Sequence, residues 1–598
     1  MAEAIISPGV YARENDISFI NPAPVAAGAA FIGPTVKGPV EEPTIVTSYS
    51  DYLRTFGETI TSGSKQYEYL TSVAIKGYFQ QGGNTALVTR IVSRSADYTR
   101  AANTFISASA KGSTQPFTLE TLGKGVLFNN ATGPNVALTP AGQAYINTDG
   151  SLVSGSADNL RWEVGSINNA LGTFSLTVRR GDDNTNNKTI LETFNNLSLD
   201  PNSPNYIESV IGNQYVTVAT DSTSGVSYNY KAGNYPNNSK YIRVSAVNLP
   251  TNYYIATDGI NVNTDSAGVS FSGSLPIVSS GSFYNAAGNN VTTVQPVTWF
   301  QDITTAATNA QGVVGASYNT AISLLSNKDD YQFNIISTPG LLISNTSAGA
   351  QSTINSVIAL AENRGDCIAV VDLVPTGSSV GATVTQAAGL NTSYAATYWP
   401  WIQIKSATGR NEWAPAGTLV PGIYAFTDAI AAPWFAPAGL VRGGIPGVIQ
   451  AERKITKGER DTLYAGKINP IATFPGSGIA VFGQKTLQTK ASALDRVNVR
   501  RLLIALKKFI GDQARNLVFE QNTLTTRNKF LSVVNPYLQS VVERQGLYAF
   551  RVVMDDTNNT ADSIDRNQLN GQILIQPTKT VEFVVLDFTI APTGATFA

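Results

Sequence analysis

The sequence predicts an α/β (α+β) core assembled from both chain ends, with β-rich domains inserted between them and an extended arm at each terminus. Three observations predict it. Residues 23–100 alternate apolar strand runs with amphipathic helical runs, the pattern of strand–helix–strand units. Residues 101–330 lose that pattern and become rich in Ser, Thr, Asn and Gly, with short alternating runs between turn pairs such as Asn-Asn and Ser-Gly. Near residue 331 the first pattern returns. An insertion within one core is the economical account, because a long insertion at a surface loop costs little closure entropy.

Element by element, residues 1–22 read as an arm. Pro8-Gly9 prevents a helix, and Asn21-Pro22 with Pro24 ends the segment. Residues 25–33 (VAAGAAFIG) read as a buried strand and Ile45–Thr47 as a second. Tyr49–Phe56 reads as a helix capped by Ser48 or Ser50. Leu70–Phe79 reads as an amphipathic helix and Ala86–Val92 as an apolar strand. Within 101–330, Phe174–Val178 and Tyr215–Ala219 are strand candidates of one or two inserted domains. Beyond it, Phe333–Ser337 is a strand, Pro339-Gly340 a turn, Ile354–Asn363 a helix and Cys367–Leu373 a strand. The resulting division is 1–22 arm, 23–100 first part of the core, 101–330 insertion, 331–578 second part of the core, and 579–598 C-terminal strand or arm. A length of 598 residues fits about three or four domains.

Composition excludes more than it assigns. The chain has no histidine, which removes the usual general base, the commonest metal ligand and every Ser-His or Cys-His pair. Its single cysteine, Cys367, opens the run Cys-Ile-Ala-Val-Val and reads as a small core residue. Net charge is −1 and only 14% of residues are charged, so nothing in the overall charge points to nucleic acid or an anionic membrane. A neutral surface of Ser, Thr, Asn, Gly and Gln suits packing against copies of itself. It also suits any β-rich protein with long polar loops. The opening MAEAIISPGVY has neither a basic segment nor a long apolar run, and no stretch approaches the roughly 20 apolar residues of a membrane span, so synthesis and assembly in a cytoplasm are expected.

Three segments invite a functional reading. The run Gly478–Thr486 superficially suggests a phosphate loop. It is one residue out of register for one, and the four residues between its glycines are apolar, so it reads as a strand. Residues 494–519 form the best amphipathic helix. Val499, Leu502, Leu503, Leu506, Phe509, Ile510 and Leu517 fall on one face; Arg500, Arg501, Lys507, Lys508 and Arg515 fall on the other. Residues 451–551 hold 17 basic and 7 acidic side chains, so this cationic face is either a solvated surface or a contact for an acidic partner. Aromatic residues are not interleaved with the cations, which disfavours nucleic acid. Finally, Thr580–Ile590 is apolar on both faces, with Val581, Phe583 and Val585 on one and Val584, Leu586, Phe588 and Ile590 on the other. An extended run of that length spans about 36 Å and needs cover on both sides. It fits either a central strand of its own sheet or a strand donated to a neighbour.

Several segments together resemble the tail sheath proteins of contractile-tailed phages, R-type bacteriocins and related injection machines. They are SPGVYARE (Ser7–Glu14), AAFIGPTVKGPVEEPTIVTSYSDYLRTFG (Ala29–Gly57), YAATYWPWI (Tyr394–Ile402), AGTLVPGIYAFTD (Ala416–Asp428) and AAPWFAPAG (Ala431–Gly439). INPIATFPGSGIAVFGQKTL (Ile468–Leu487), RVNVRRLLIALKKFI (Arg496–Ile510), FEQN (Phe519–Asn522) and LNGQILIQPTKTVEFVVLDFTI (Leu569–Ile590) follow in the family's order. The resemblance spans roughly 5–95 and 331–595; Phe482-Gly-Gln-Lys485 departs from the family's usual Trp-Gly-Ala-Arg.

The resemblance implies a structural subunit, not an enzyme, with no cofactor. It implies a homopolymer of stacked, helically arranged rings around an inner tail tube protein, bounded by baseplate and tail terminator proteins. Such a sheath belongs to a virion tail, makes no direct contact with nucleic acid and does not insert in a membrane. It implies that Arg500, Arg501, Lys507, Lys508 and Arg515 face the tube, and that 580–590 and the N-terminal arm at Ser7, Pro8, Gly9, Val10 and Tyr11 link neighbours. A sheath from a phage-derived injection device is the same molecule in another setting. A surface adhesin is a further alternative, and it would be expected to carry a secretion signal.

Overall fold

The computed structural model describes residues 28–62, 65–91, 100–103, 114–124, 147, 149–152, 157, 159–251, 274–284, 317–343, 348–476 and 478–582. At its centre is an eight-stranded sheet in the order Thr44–Val46, Ala86–Arg90, Ala29–Gly33, Ile335–Leu342, Ile368–Asp372, Ala395–Trp399, Asn469–Phe474, Gly478–Val481. The six inner strands are parallel, and an antiparallel strand closes each edge. Ala29 pairs with Ile335, so the two ends of the chain meet inside one sheet.

Parallel strands covered on both faces read as continuous apolar runs, and side chains still alternate between faces. Ala30, Ile32, Leu87, Ile336, Ala369, Val371 and Trp399 pack on one side against helices Ser317–Leu324, Ala348–Arg364, Val380–Ala388 and Lys457–Ala465. Phe31, Val88, Ile335, Val370 and Tyr398 pack on the other against Tyr49–Phe56, Leu70–Gln80 and Val420–Ile430. Ser48 caps the first of these helices by accepting from the Asp51 amide at 3.1 Å.

Pro339-Gly340 is not a turn between elements. The strand Ile335–Leu342 runs through it with a register shift between Ser337 and Leu342. Gly340 takes φ +86°, which a side chain disfavours, so the pair forms an irregularity within the strand. Cys367 is fully buried beside Ile368–Asp372, and burial pushes its thiol up to about 12, as expected of an inert core residue.

The inserted region builds one antiparallel seven-stranded sheet, in the order Ile190–Ser198, Thr173–Arg180, Leu160–Asn168, Ser279–Tyr284, Arg100–Asn103, Phe117–Lys124, Ile242–Val247. Its own core holds Trp162, Phe174, Phe117 and Phe283. A separate ribbon, Tyr215–Thr220 with Ser227–Ala232, touches the central domain where the Ser227 amide donates to Ser323 Oγ at 2.9 Å and Asn229 Nδ2 donates to the Glu41 carbonyl at 3.1 Å. Beyond the central sheet, helices Val497–Arg515 and Leu524–Glu543 and a hairpin of Leu547–Val553 with Gln572–Pro577 enclose a further core around Trp434, Leu502, Leu506, Phe530 and Leu538. No described helix is long and apolar enough to cross a membrane.

Candidate interaction surfaces

The helix Val497–Arg515 joins two cores. Val497 and Ile504 enter the central domain, while Leu502 and Leu506 enter the C-terminal one. Being gripped from two sides, its first turns have no solvent face. This overturns part of the expected cationic surface. Arg500 and Arg501 are each only 4% exposed and point inward.

Arg500 lies 3.9 Å above the Tyr394 ring and donates to Ser393 Oγ. Arg501 donates to both carboxylate oxygens of Asp428, at 2.7 and 2.6 Å, and lies 4.6 Å from the Tyr424 ring. The Tyr424 hydroxyl shares a 2.6 Å hydrogen bond with Tyr398. Burial pushes Asp428 above the usual carboxylate value, against the pull of Arg501. A guanidinium can be taken out of water here because aromatic faces and a carboxylate replace its hydration. The helical wheel identifies a polar position but not the rings that meet it from elsewhere in the chain.

The later turns do carry surface cations. Lys507 is exposed, with Nζ 3.5 Å from the Tyr394 hydroxyl. Lys508 is half-buried, and desolvation lowers its pKa. Arg515 is exposed and pairs with Asp329 at 2.8 Å. Of the apolar stripe, Val499, Leu502 and Leu506 are buried and Leu503, Phe509, Ile510 and Leu517 half-buried; Phe509 stacks on Tyr537 at 3.7 Å.

The hairpin Leu547–Val553/Gln572–Pro577 pairs only with itself among the described residues. Phe550, Val552, Ile573 and Ile575 pack inward against the C-terminal core, while Tyr548 and Leu574 are exposed. The alternation Gln-Ile-Leu-Ile-Gln at 572–576 is the sequence signal for such a half-covered strand. Of the residues expected to donate a strand, Val581 is described and is 76% exposed. Thr580, Val581 and Glu582 lie outside any strand. Phe583, Val584, Val585, Leu586, Phe588 and Ile590 lie outside the described residues, as do Ser7, Pro8, Gly9, Val10 and Tyr11.

Among the described residues no group of three His, Cys, Asp or Glu side chains is placed to hold a metal ion. The stretch from Gly478 forms the strand Gly478–Val481, paired antiparallel with Asn469–Phe474, as its apolar character predicts.

Comparison with known proteins gives two family matches in sequence order. Residues 311–487 match the phage tail sheath protein central domain, and residues 489–591 match the phage tail sheath C-terminal domain. The tail sheath protein of Vibrio phage KVP40 is 39% identical over 219 residues, covering 36% of this chain and 33% of the relative. That of Enterobacteria phage T4 is 33% identical over 267 residues, covering 42% of this chain and 40% of the relative. The matched stretch is thus a third to two fifths of the length of these relatives. Among solved structures, the helical sheath of the anti-feeding prophage in its contracted state aligns over 98% of this chain and 99% of that one, at 14% identity and a TM-score of 0.47. The sheath tail protein from Listeria innocua aligns over 92% of this chain and 95% of that one, at 10% identity and a TM-score of 0.48.

Proposed function

We propose that this chain, whose residues 311–487 and 489–591 match phage tail sheath domains, polymerises as a helical sheath around an inner tube and contracts to drive that tube through a target envelope. The observation that carries this reading is the open hairpin. Among the described residues no third strand joins it; a two-stranded sheet alone is marginally stable, and open edges invite another strand. The apolar C-terminal segment 583–590 and the N-terminal arm of adjacent subunits supply such strands by main-chain pairing. A subunit whose donating and accepting surfaces differ makes heterologous contacts, and these propagate into an open helix.

The subunit works by repacking between two lattices and catalyses no reaction. Only a few kcal/mol per subunit is needed, since many copies move together. The tube lies against Lys507, Lys508 and Arg515, while Arg500 and Arg501 serve inside the subunit. Residues 101–330 face away from the tube. Baseplate and terminator proteins cap the polymer, which is a virion tail component assembled in the host cytoplasm.

The test is electron microscopy of the purified chain beside a variant lacking 583–598. Full-length protein should form tubes or rings. The truncated variant should remain soluble and folded, without them. Monodisperse full-length protein, or normal tubes from the truncated one, would contradict the reading.

A further inference from the structure

Residues 578–582, where the expected C-terminal arm begins, are held in an unusual way. Thr578 Oγ1 donates to the Gln545 carbonyl at 2.8 Å, and its amide donates to Gly546 at 3.2 Å. Two residues on, Thr580 Oγ1 accepts from Asn498 Nδ2 at 3.1 Å. After two more, Glu582 accepts from Arg496 Nε at 2.6 Å, Arg496 Nη2 at 3.0 Å and Gln484 Nε2 at 3.2 Å. Lys579, Thr580 and Val581 are exposed, and Thr578 and Glu582 half-buried. The chain is therefore attached at every second residue, the spacing of an extended strand, yet it joins no sheet.

Its anchors are firm on the body side. Asn498 is buried and also donates to the Trp434 carbonyl at 3.2 Å. Arg496 lies beside Tyr464 and pairs with Asp495 at 3.0 Å as well as with Glu582. What crosses to the arm is one main-chain hydrogen bond at Thr578 and then a row of side-chain contacts, each weak alone, with one bidentate charge pair at the far end. Such a row opens one contact at a time, starting from Glu582, without disturbing either core.

We propose that Thr578–Glu582 is a peelable root for the C-terminal arm, latched by Arg496 and Glu582. Latched, it fixes where the arm leaves the subunit; released, it adds five residues of free chain, roughly 16 Å of reach. This rests on the reading that the arm joins neighbouring subunits. Partners tied by arms must stay connected while their bodies move apart, and a root that opens supplies the length.

Trypsin reads the latch directly. Lys579 is the last Lys or Arg in the chain, so cleavage there releases a fragment of 580–598 that mass spectrometry identifies. In soluble, unassembled protein the root should be cut slowly. Arg496→Glu, and separately Glu582→Gln, should speed cleavage about tenfold, corresponding to ~1.4 kcal/mol of latching. The charge swap Arg496→Glu with Glu582→Arg should restore the slow rate. Unchanged cleavage in Glu582→Gln, which removes one charge at the edge of the fold, overturns the latch. A swap that fails to restore the slow rate overturns it too.

In assembled tubes of the unmodified chain, cleavage at Lys579 should differ between long and short forms; equal rates overturn the release. The two readings fail separately. Faster cleavage in Glu582→Gln with normal tubes from protein lacking 583–598 removes the arm but keeps the latch. Unchanged cleavage with tubes lost on truncation removes the latch but keeps the arm.

Discussion

The eight-stranded sheet and the C-terminal hairpin make opposite use of β structure. In the first, both faces are covered by helices and each edge ends in a short antiparallel strand from the same chain. In the second, one face is covered, Tyr548 and Leu574 stay exposed, and the described residues leave both edges unpaired. A sheet covered on both faces completes its core inside one molecule. An open one has main-chain donors and acceptors left for another chain. On the proposed reading, stability and assembly fall to different parts of the subunit, and substitutions should separate them.

The largest effect should come from the covered sheet. Trp399 is buried beneath Arg453, whose guanidinium lies 5.6 Å from its ring. Trp399→Ala should cost about 3–5 kcal/mol in urea unfolding, the usual loss for a buried aromatic. Leu574→Asn in the hairpin should change monomer stability by less than about 0.5 kcal/mol, as exposed substitutions do, yet abolish tubes. If Leu574→Asn unfolds the monomer, or leaves assembly intact, the contrast fails.

A second contrast is titratable. Asp372 closes a central strand, fully buried, and accepts from the Gly417 amide at 2.9 Å; burial pushes it up to about 7. Glu68, largely buried, accepts from the Ala407 amide at 2.6 Å and is likewise pushed up to about 7, again by burial first. Between pH 4 and 7 the folded chain keeps protons that the unfolded chain has released. Stability should therefore fall as pH rises, by about 1.4 kcal/mol per pH unit for each group, and level off above 7. Asp372→Asn should halve that slope and leave the assembly role proposed for the hairpin unchanged. A flat wild-type profile across this window would show that neither carboxyl stays protonated in the fold.

Next comes the buried cation. Arg501→Met leaves Asp428 without its partner and should cost about 2 kcal/mol, less than for a fully buried pair because the Asp428 side chain keeps 26% exposure. An unchanged stability would return Arg501 to the surface role first expected of it.

What was legible in the sequence follows from how locally each feature is determined. The central strands could be read because burial on both faces makes them continuous apolar runs, as in Ala29–Gly33 or Ile368–Asp372. The helix cap was legible to within two candidates, Ser48 and Ser50, for the same reason: the bond that Ser48 makes is three residues away. Pro339-Gly340 was misread because the pair that ends most strands here makes an irregularity that neighbouring strands hold in place. Helix Leu524–Glu543 was not read from the sequence; it carries Pro536 in its interior, a residue that argues against a helix. Arg500 and Arg501 were misplaced because Tyr394 and Tyr424, which receive them, are distant in sequence. The hairpin was partly visible in the alternation at 572–576, whereas the absence of a third strand among the described residues is a property of topology.

The smallest effect on the fold should come from the cations that remain outside. Lys507 is exposed, and Arg515 makes one exposed pair with Asp329. Exposed pairs contribute about 0–1 kcal/mol and are screened by salt. Lys507→Glu with Arg515→Glu should therefore leave urea unfolding within about 0.5 kcal/mol of the parent. The same substitutions reverse the charge on the surface proposed to meet the tube, where weak contacts have a mechanical advantage: contraction must break all of them at once. Co-sedimentation with purified inner tube should fall, most steeply at low salt, while tube-free polymers still form through the arms. Undiminished, salt-independent binding would show that the tube lies against another face. Loss of tube-free polymers as well would show that these cations belong to the subunit contacts, which would place assembly on this helix as well as on the hairpin.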